Sequence, residues 1–400
     1  MSRTLALAVS PGEVWAALEE DGVLIGLRIA RDATRDTVGA VYLGRIVALR
    51  PELPAALVDI GLDRPAFLDA RDADRQRGIA GLTEGAALIV AVTKAARADK
   101  ACGVRLLRAS DERHAAFDAA ARLATPPARL DRADPAVVAA AKPLLNPPPD
   151  LILVDDRGGF AELRPFLARE HPALAPCLAL HGEAAPLFDA LGIAEAVGAV
   201  LRSRVALPDG SALHIEATHA ATMIDVDGGT RGALAANLDA ARAVARQIGL
   251  RNLAGPIVID FVGMKQREDR DQVLAALQTA LAADAEKPEL LGWTKLGHLE
   301  LVRRRGAAPL AELLFERAAD GALRKTALTL ALGALRMVAR EAQAQPGKIF
   351  SLAAHPDVAG ALADGAGLAA RQWLETRLGR TLPVEAEPQR ARDAVDIRAR

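Results

Sequence analysis

Five short β-type runs between residues 40 and 107 constrain the fold of this chain more than any other feature. Turn residues separate the runs at short intervals, a spacing that favours a small β-barrel. The runs are Ala40–Leu49, Ala55–Ile60, Ala66–Leu68, Ala87–Thr93 and Gly103–Leu107. Five strands of this length predict an OB-type barrel.

The rest of the chain alternates strand-like and helix-like segments. Ser110 is the predicted N-cap of a helix over 111–124, and Asp134-Pro135 opens a second helix. From residue 151 the order is strand, turn over 155–159, then helix over 186–202, which is an α/β pattern. Further on we expect two strands in 204–227, a helix at 233–249, a strand at 255–262, a helix at 269–284, an irregular or weakly helical stretch at 306–324 and a helix at 325–344.

Composition limits the class of protein. A chain of 400 residues with 51% hydrophobic residues is long for one domain, so we expect two to four packed units. The formal net charge of -1 means that any surface for nucleic acid is local. Cys102 and Cys177 stand far apart, so neither a disulfide framework nor a zinc site is expected. No run reaches the roughly 18 apolar residues of a membrane span, and we expect a cytoplasmic protein without a membrane partner.

Three aspartates interrupt or end apolar strands. Asp225 and Asp227 lie in one strand-like run, and Asp260 lies in the next. A carboxylate inside an apolar run costs several kcal/mol unless it is paired, protonated or metal-bound. Neighbouring strands that end in acids present oxygens at one edge of a sheet, and Mg²⁺ is typically held by one or two carboxylates with water and substrate phosphate. The pattern outlines a site for phosphoryl transfer.

A structural interpretation of these acids remains open from the residues alone. Asp227-Gly228-Gly229 also fits a simple turn, and Asp260 fits an acceptor of backbone hydrogen bonds at a strand end. His214 and His219, at strand spacing near the acids, fit either ligands or neighbours of the site.

Several motifs together resemble the ribonuclease E/G family. Val41-Tyr42-Leu43-Gly44-Arg45-Ile46, with residues 55–61 and 66–68, is similar to the S1-type RNA-binding barrel of that family. Residues 237–261, ending in Ile257-Val258-Ile259-Asp260-Phe261, resemble the family's most characteristic stretch. Residues 354–393 are similar to its C-terminal small domain. The resemblance covers most of the chain.

The resemblance implies an α+β and α/β multidomain fold. An S1-type OB barrel is inserted in a ribonuclease-H-like unit, followed by a DNase-I-like catalytic unit and a small C-terminal α/β domain. The implied boundaries are 1–38 with 140–200 for the ribonuclease-H-like unit, 39–110 for the barrel, 111–139 for a connector too short for the family's 5′ sensor, 201–305 for the catalytic unit, 306–324 for a linker without the zinc-binding cysteines, and 325–400 for the small domain.

The resemblance also assigns site residues. Asp225 and Asp260 match the family's magnesium ligands, Asp227 stands where the family usually has asparagine, and Lys287 matches an arginine close to the site. In the barrel, Phe67 matches a base-stacking ring, whereas Leu57 replaces a second phenylalanine. The other implied RNA contacts are Tyr42, Lys94 and Lys100.

The implied function is a magnesium-dependent endoribonuclease that hydrolyses single-stranded RNA, with zinc not expected and with a homodimer, if formed, not linked by zinc. The acid at Asp227 and the loss at Leu57 motivate an alternative, an RNA-binding protein that has kept the fold without catalysis. A phosphatase or nucleotide hydrolase on the same sheet edge would leave the barrel without a role.

Overall fold

The computed structural model describes residues 2–32, 38–74, 78–94, 96, 101–183, 185–218, 220–318 and 321–399. The chain is a mixed α/β multidomain protein that divides into two compact units. One unit comprises Met1–Ala33, Pro135–Arg304 and Pro309–Arg400, and the other comprises Thr34–Asp134 and Arg305–Ala308.

The first unit begins with three antiparallel strands, β1 (Arg3–Ser10), β2 (Glu13–Glu20) and β3 (Val23–Arg31). Tight turns join them, because Gly12 and Gly22 adopt positive φ of 75° and 82°. Leu5 and Leu7 are completely buried on one face of these strands and Leu27 on the other, so core residues cover both faces of the sheet.

The second unit contains the predicted barrel. Its elements are β4 (Val41–Arg50), β5 (Ala55–Asp59), β6 (Ala66–Asp69), α1 (Ala70–Ala73), β7 (Ala87–Lys94), β8 (Gly103–Leu106), α2 (Glu112–Leu123) and β9 (Ala128–Arg129). The strands follow the order β5-β6-β8-β7-β4, and β4 pairs back onto β5 to close five strands into a barrel. This closed barrel is consistent with the predicted OB-type fold. The helix α2 begins one residue later than predicted, with Asp111 rather than Ser110 at the N-cap.

The next segment of the first unit completes the N-terminal sheet. Its elements are α3 (Ala136–Ala141), 3-10 turns at Lys142–Leu144 and Pro172–Cys177, β10 (Leu151–Val154), α4 (Arg157–Glu170), β11 (Leu178–Leu180), α5 (Leu187–Ala190) and α6 (Ala194–Ala199). The sheet order is β11-β10-β1-β2-β3, with β10 parallel to both β1 and β11.

Two expectations for this segment are wrong. The predicted turn at 155–159 contains the start of α4, because the Asp156 side chain accepts a hydrogen bond from the Gly159 backbone N–H and caps the helix. The helix predicted over 186–202 is two short helices, because Gly192 interrupts it with a φ of 67°.

A six-stranded sheet follows in the same unit. Its elements are β12 (Arg204–Ala206), β13 (Ala212–Ala217), β14 (Thr222–Asp227), α7 (Ala233–Arg251), β15 (Gly255–Asp260), α8 (Arg267–Leu281), β16 (Glu289–Trp293) and β17 (Leu299–Arg303). The strand order is β12-β13-β14-β15-β17-β16. Three strands, not two, fill 204–227, because a turn at Pro208-Asp209-Gly210 separates the first two. The helices α7 and α8 pack through Val244, Ile248, Val273 and Leu277 on one face of this sheet.

The remaining elements are α9 (Leu310–Leu314), β18 (Phe315–Arg317), β19 (Leu323–Lys325), α10 (Ala327–Ala344), β20 (Phe350–Ala354), α11 (Pro356–Ala361), α12 (Gly365–Leu378), β21 (Val384–Ala386) and β22 (Val395–Ala399). The stretch predicted as irregular or weakly helical therefore holds a short helix and, in addition, a hairpin. The strands β21, β20 and β22 form a small sheet. Among the described residues, no helix combines the length and the apolar character needed to cross a membrane.

Candidate active site

Asp225 and Asp260 lie side by side at the carboxyl ends of two parallel strands. Residues of β14 alternate between the core and the surface, so Ile224 and Val226 are buried while Asp225 is exposed. Asp260 is likewise exposed at the end of β15. The two aspartates are direct partners in the parallel pairing of these strands, which puts their Cα atoms about 4.8 Å apart. The structure thus brings together the two carboxylates that the sequence selected.

The surroundings of these carboxylates do not support a purely structural role. No backbone N–H of the described residues donates a hydrogen bond to the side chain of Asp225 or Asp260. Acids that serve only as strand-end acceptors would receive such bonds. Both side chains are therefore available to a ligand.

Asp227 is held by a histidine. The Nε2 atom of His214 lies 2.9 Å from Oδ2 of Asp227. His214 is also the cross-strand partner of Asp225 on β13, so it stands between the two acids of β14 on the same face. The bond fixes the orientation of Asp227, while His219 lies outside the described residues.

A second histidine, His298, was not found from the sequence. Its Nε2 atom is 3.7 Å from Oδ2 of Asp260, and its side chain is 29% exposed. It follows the tight turn of the β16–β17 hairpin, in which Thr294 N–H donates to the carbonyl of His298. Only the register of β17 against β15, with Leu299 opposite Ile259, brings this isolated histidine to the acids.

Asn237 anchors the chain that leaves Asp260. Its side chain on α7 is completely buried, its Nδ2 donates to the Val262 carbonyl at 2.7 Å, and its Oδ1 accepts from the Val262 N–H at 3.0 Å. Phe261 packs beside Trp293, and Arg270 donates to the Met264 carbonyl. The loop after β15 is fixed, and Asp260 with it.

The acids of β14 line an open depression of about 380 Å³ together with His214, Glu216 and Met223. Within the described ranges, no group of three or more His, Cys, Asp or Glu side chains is arranged to hold a metal ion. Mg²⁺ does not need such a group, because it keeps several waters and binds through one or two carboxylates and substrate phosphate. Two exposed carboxylates on adjacent strands fit magnesium.

The structure corrects the assignment of Lys287. This residue precedes β16, whose first residue, Glu289, pairs with Val302, and Val302 pairs with Pro256 near the start of β15. Asp260 stands at the other end of β15, so Lys287 lies at the opposite edge of the sheet. The position of Lys287 in the sequence is compatible with a role at the site. The direction of β16 excludes that role, because the strand begins at the end of the sheet away from Asp260.

In the barrel, the predicted RNA contacts Phe67 and Lys94 share one surface. Leu57, Phe67, Gly103 and Lys94 follow one another as direct partners across β5, β6, β8 and β7. Phe67 is 36% exposed and Lys94 is exposed. Gly103 has no side chain between them, and the Lys94 side chain lies over it, since a Cβ at Gly103 would be 3.3 Å from Lys94 Cβ.

Tyr42 and Lys100 are the other two RNA contacts predicted in the barrel. Tyr42 is only 4% exposed, belongs to the barrel core and has the guanidinium of Arg129 over its ring at 5.8 Å. Its ring offers no free face to a base, so the structure does not support the RNA contact predicted for Tyr42. Lys100 lies outside the described residues.

Comparison with known proteins agrees with this arrangement. Residues 75–306 match the sequence profile described as the Ribonuclease E/G family, a range that covers more than half of the chain and contains the carboxylate edge. The chain is 27% identical to Ribonuclease G of Salmonella typhimurium over 99% of both chains, and 28% identical to Ribonuclease G of Haemophilus influenzae over 78% of this chain and 81% of that relative. It is 35% identical to Ribonuclease E of a Nostoc species over 47% of this chain and 29% of that relative. The chain belongs to the ribonuclease E/G family.

Proposed function

We propose that the chain is a magnesium-dependent endoribonuclease that hydrolyses phosphodiester bonds within single-stranded RNA. The observation that carries the proposal is the direct pairing of Asp225 and Asp260 at an exposed sheet edge, where no described backbone N–H donates to either side chain. Membership of a family whose matched relatives are ribonucleases supplies the class of substrate.

Asp225 and Asp260 would hold the magnesium ion. When bound there, Mg²⁺ polarises the phosphodiester and lowers the pKa of a coordinated water. Asp227, fixed by His214, orients the phosphate or the attacking water. His298 faces Asp260 from the opposite side, with its Nε2 atom 3.7 Å from Oδ2 of that carboxylate. Preorganised groups of this kind reduce the reorganisation required in the transition state.

The barrel would gather the RNA strand. The exposed ring of Phe67 offers a stacking platform, which is worth about 1–3 kcal/mol per base, and Lys94 offers a cation for the backbone. Leu57, at the neighbouring position of the same row, cannot stack in this way. We expect RNA binding through a single ring.

We also infer the architecture that carries the site. The mixed sheet β11-β10-β1-β2-β3, with three antiparallel strands and two parallel additions, supports a ribonuclease-H-like unit interrupted in sequence by the barrel. The sheet of residues 204–303 with two helices on one face supports a DNase-I-like catalytic unit. The small sheet β21-β20-β22 with α10 to α12 has a core of its own within the first unit, which supports a small C-terminal domain.

A circular, fluorescent, single-stranded RNA provides the test, because only an internal cut can linearise it. We expect linear products with magnesium and none with EDTA. Asp260→Ala should abolish cutting, whereas Asp271→Ala, which removes an exposed acid from α8, should leave it unchanged.

Binding without cleavage under every condition would overturn the proposal. It would instead support the RNA-binding alternative, in which the acid at Asp227 prevents the reaction. Equal cutting by the wild type and by Asp260→Ala would place the reaction elsewhere or in a contaminant.

A further inference from the structure

A row of four polar side chains crosses the open face of the catalytic sheet. Arg204 on β12 pairs with His214, His214 with Asp225, and Asp225 with Asp260. Direct partners in neighbouring strands point to the same face of a sheet. The alternate residues, such as Val205, pack against the core under α7 and α8, so the row faces away from the helices.

Arg204 has no role in the fold that would explain its place in this row. It is exposed, and among the residues that the structure describes its side chain has no hydrogen-bond or ion-pair partner. Strands lie about 4.8 Å apart, so its Cα is about 10 Å from that of Asp225. An extended arginine side chain is long enough to span much of that distance, across the position of His214.

The next row of the same face cannot accept a phosphate backbone. Two residues further from the carboxylate edge, Glu216, Met223, Val258 and Glu300 are direct partners. Its two charged members are acids, and its middle is apolar. Phosphates are repelled from this row. Among the side chains of strands β12 to β17 that face away from the helices, Arg204 is the only lysine or arginine, and it lies in the row of the carboxylates.

We propose that Arg204 binds an RNA phosphate next to the one that is cut, so that the strand runs across the β-strands along the row from Asp260 to Arg204. This inference rests on the proposed function, since it takes Asp225 and Asp260 as the place of the scissile phosphate. The guanidinium fits a phosphate through two parallel hydrogen bonds and gives the strand a defined direction across the site.

The test measures the salt dependence of RNA binding. Fluorescence polarisation of a short labelled oligouridylate is followed over a KCl series with magnesium, and every protein carries Asp260→Asn so that the RNA stays intact. Loss of one phosphate contact should reduce the slope of log K against log salt by about 0.7 for single-stranded RNA. We expect this change in Arg204→Ala and Arg204→Gln, with a Kd about two- to fivefold higher.

Two variants separate a phosphate contact from a structural effect. Arg204→Lys keeps a cation and should retain the slope. Arg242→Ala removes an exposed arginine on the helical side of the same unit and should also leave it unchanged. Thermal melting of each variant confirms that the fold is intact.

An unchanged slope and Kd in Arg204→Ala and Arg204→Gln would overturn the inference. The same reduction in Arg242→Ala would also overturn it, because the effect would then reflect overall charge. Failure of the wild type to cut RNA is a separate outcome that removes the proposed function. If the wild type cuts RNA but the Arg204 variants keep the wild-type salt slope, only the proposed phosphate contact of Arg204 is rejected.

Discussion

Replacing Asn237 tests whether the buried amide fixes the catalytic edge. In Asn237→Ala, the N–H and the carbonyl of Val262 both lose their partner, at present bonded at 3.0 Å and 2.7 Å. A buried polar group without a partner costs about 1–3 kcal/mol. Val262 is partly exposed, so water recovers some of this cost, and we expect a loss of about 2–4 kcal/mol.

Hydrogen exchange measures this loss at the residue concerned. A loss of about 2 kcal/mol corresponds to roughly 30-fold faster exchange of the Val262 amide, in a peptide spanning the loop after β15. RNA cleavage should fall as well, because Asp260 is two residues away. Asn237→Asp should recover only the bond from the Val262 N–H, since a carboxylate cannot donate to the carbonyl.

Asp239→Ala is the matched control on the same helix. Asp239 forms exposed ion pairs with Arg231 and Arg242, so its loss should cost at most about 1 kcal/mol and leave Val262 protected. If Asn237→Ala kept the wild-type exchange rate at Val262, the anchoring role of the amide would be refuted.

Three further predictions concern stability and binding. Glu13→Ala should destabilise the protein by about 3–5 kcal/mol, because it leaves the buried Arg31 without its carboxylate, whereas Glu20→Ala should cost at most about 1 kcal/mol in urea unfolding. Burial opposes ionisation of Asp156, but hydrogen bonds, chiefly from Arg377, outweigh it and lower the pKa of Asp156. The stability from this pair is present above about pH 4 and is lost as pH falls through the lowered pKa, so the Tm difference between wild type and Arg377→Ala should shrink in acid. Phe67→Ala should weaken RNA binding by about 1–3 kcal/mol in polarisation titrations, and unchanged binding would exclude the stacking role.

The barrel and the carboxylate strands could be predicted because their signals are local. All five barrel strands agree with the sequence within a residue at each end, since turn residues delimit them. The alternation around Asp225 likewise gives its face directly. The helix α4 could not be predicted, because Gly158 and Gly159 indicate a turn. Gly159 is required instead by close packing, since a Cβ there would lie 2.9 Å from the Val9 side chain.

The rest of the site depends on the register of distant strands, which sequence spacing does not contain. His298 follows an ordinary hairpin turn, and only the pairing of β17 with β15 brings it within 3.7 Å of Asp260. The pairing of β16 with β17 and of β17 with β15 likewise excludes Lys287, which the resemblance to the ribonuclease E/G family had placed at the site. Arg204 was not selected, because an exposed arginine in a three-residue strand has no distinguishing pattern.

Asp227 adds a third carboxylate to the sheet edge that carries Asp225 and Asp260. Its bond to His214 uses one carboxylate oxygen, and the side chain is 63% exposed. An acid that serves only to orient the substrate adds a negative charge that repels phosphate. Asp227→Asn should therefore retain cleavage and lower the KM for RNA, because the amide oxygen can still accept from His214 while the charge is lost.

Comparison with Asp225→Asn shows whether Asp227 acts as a metal ligand or only orients the substrate. Asp225→Asn removes a proposed metal ligand two residues away on the same face and should abolish cleavage at any magnesium concentration tested. A comparable loss in Asp227→Asn, relieved by raising magnesium, would show that Asp227 binds the metal. Its acid would then strengthen the site rather than oppose the substrate, and the bond from His214 would serve to aim a ligand.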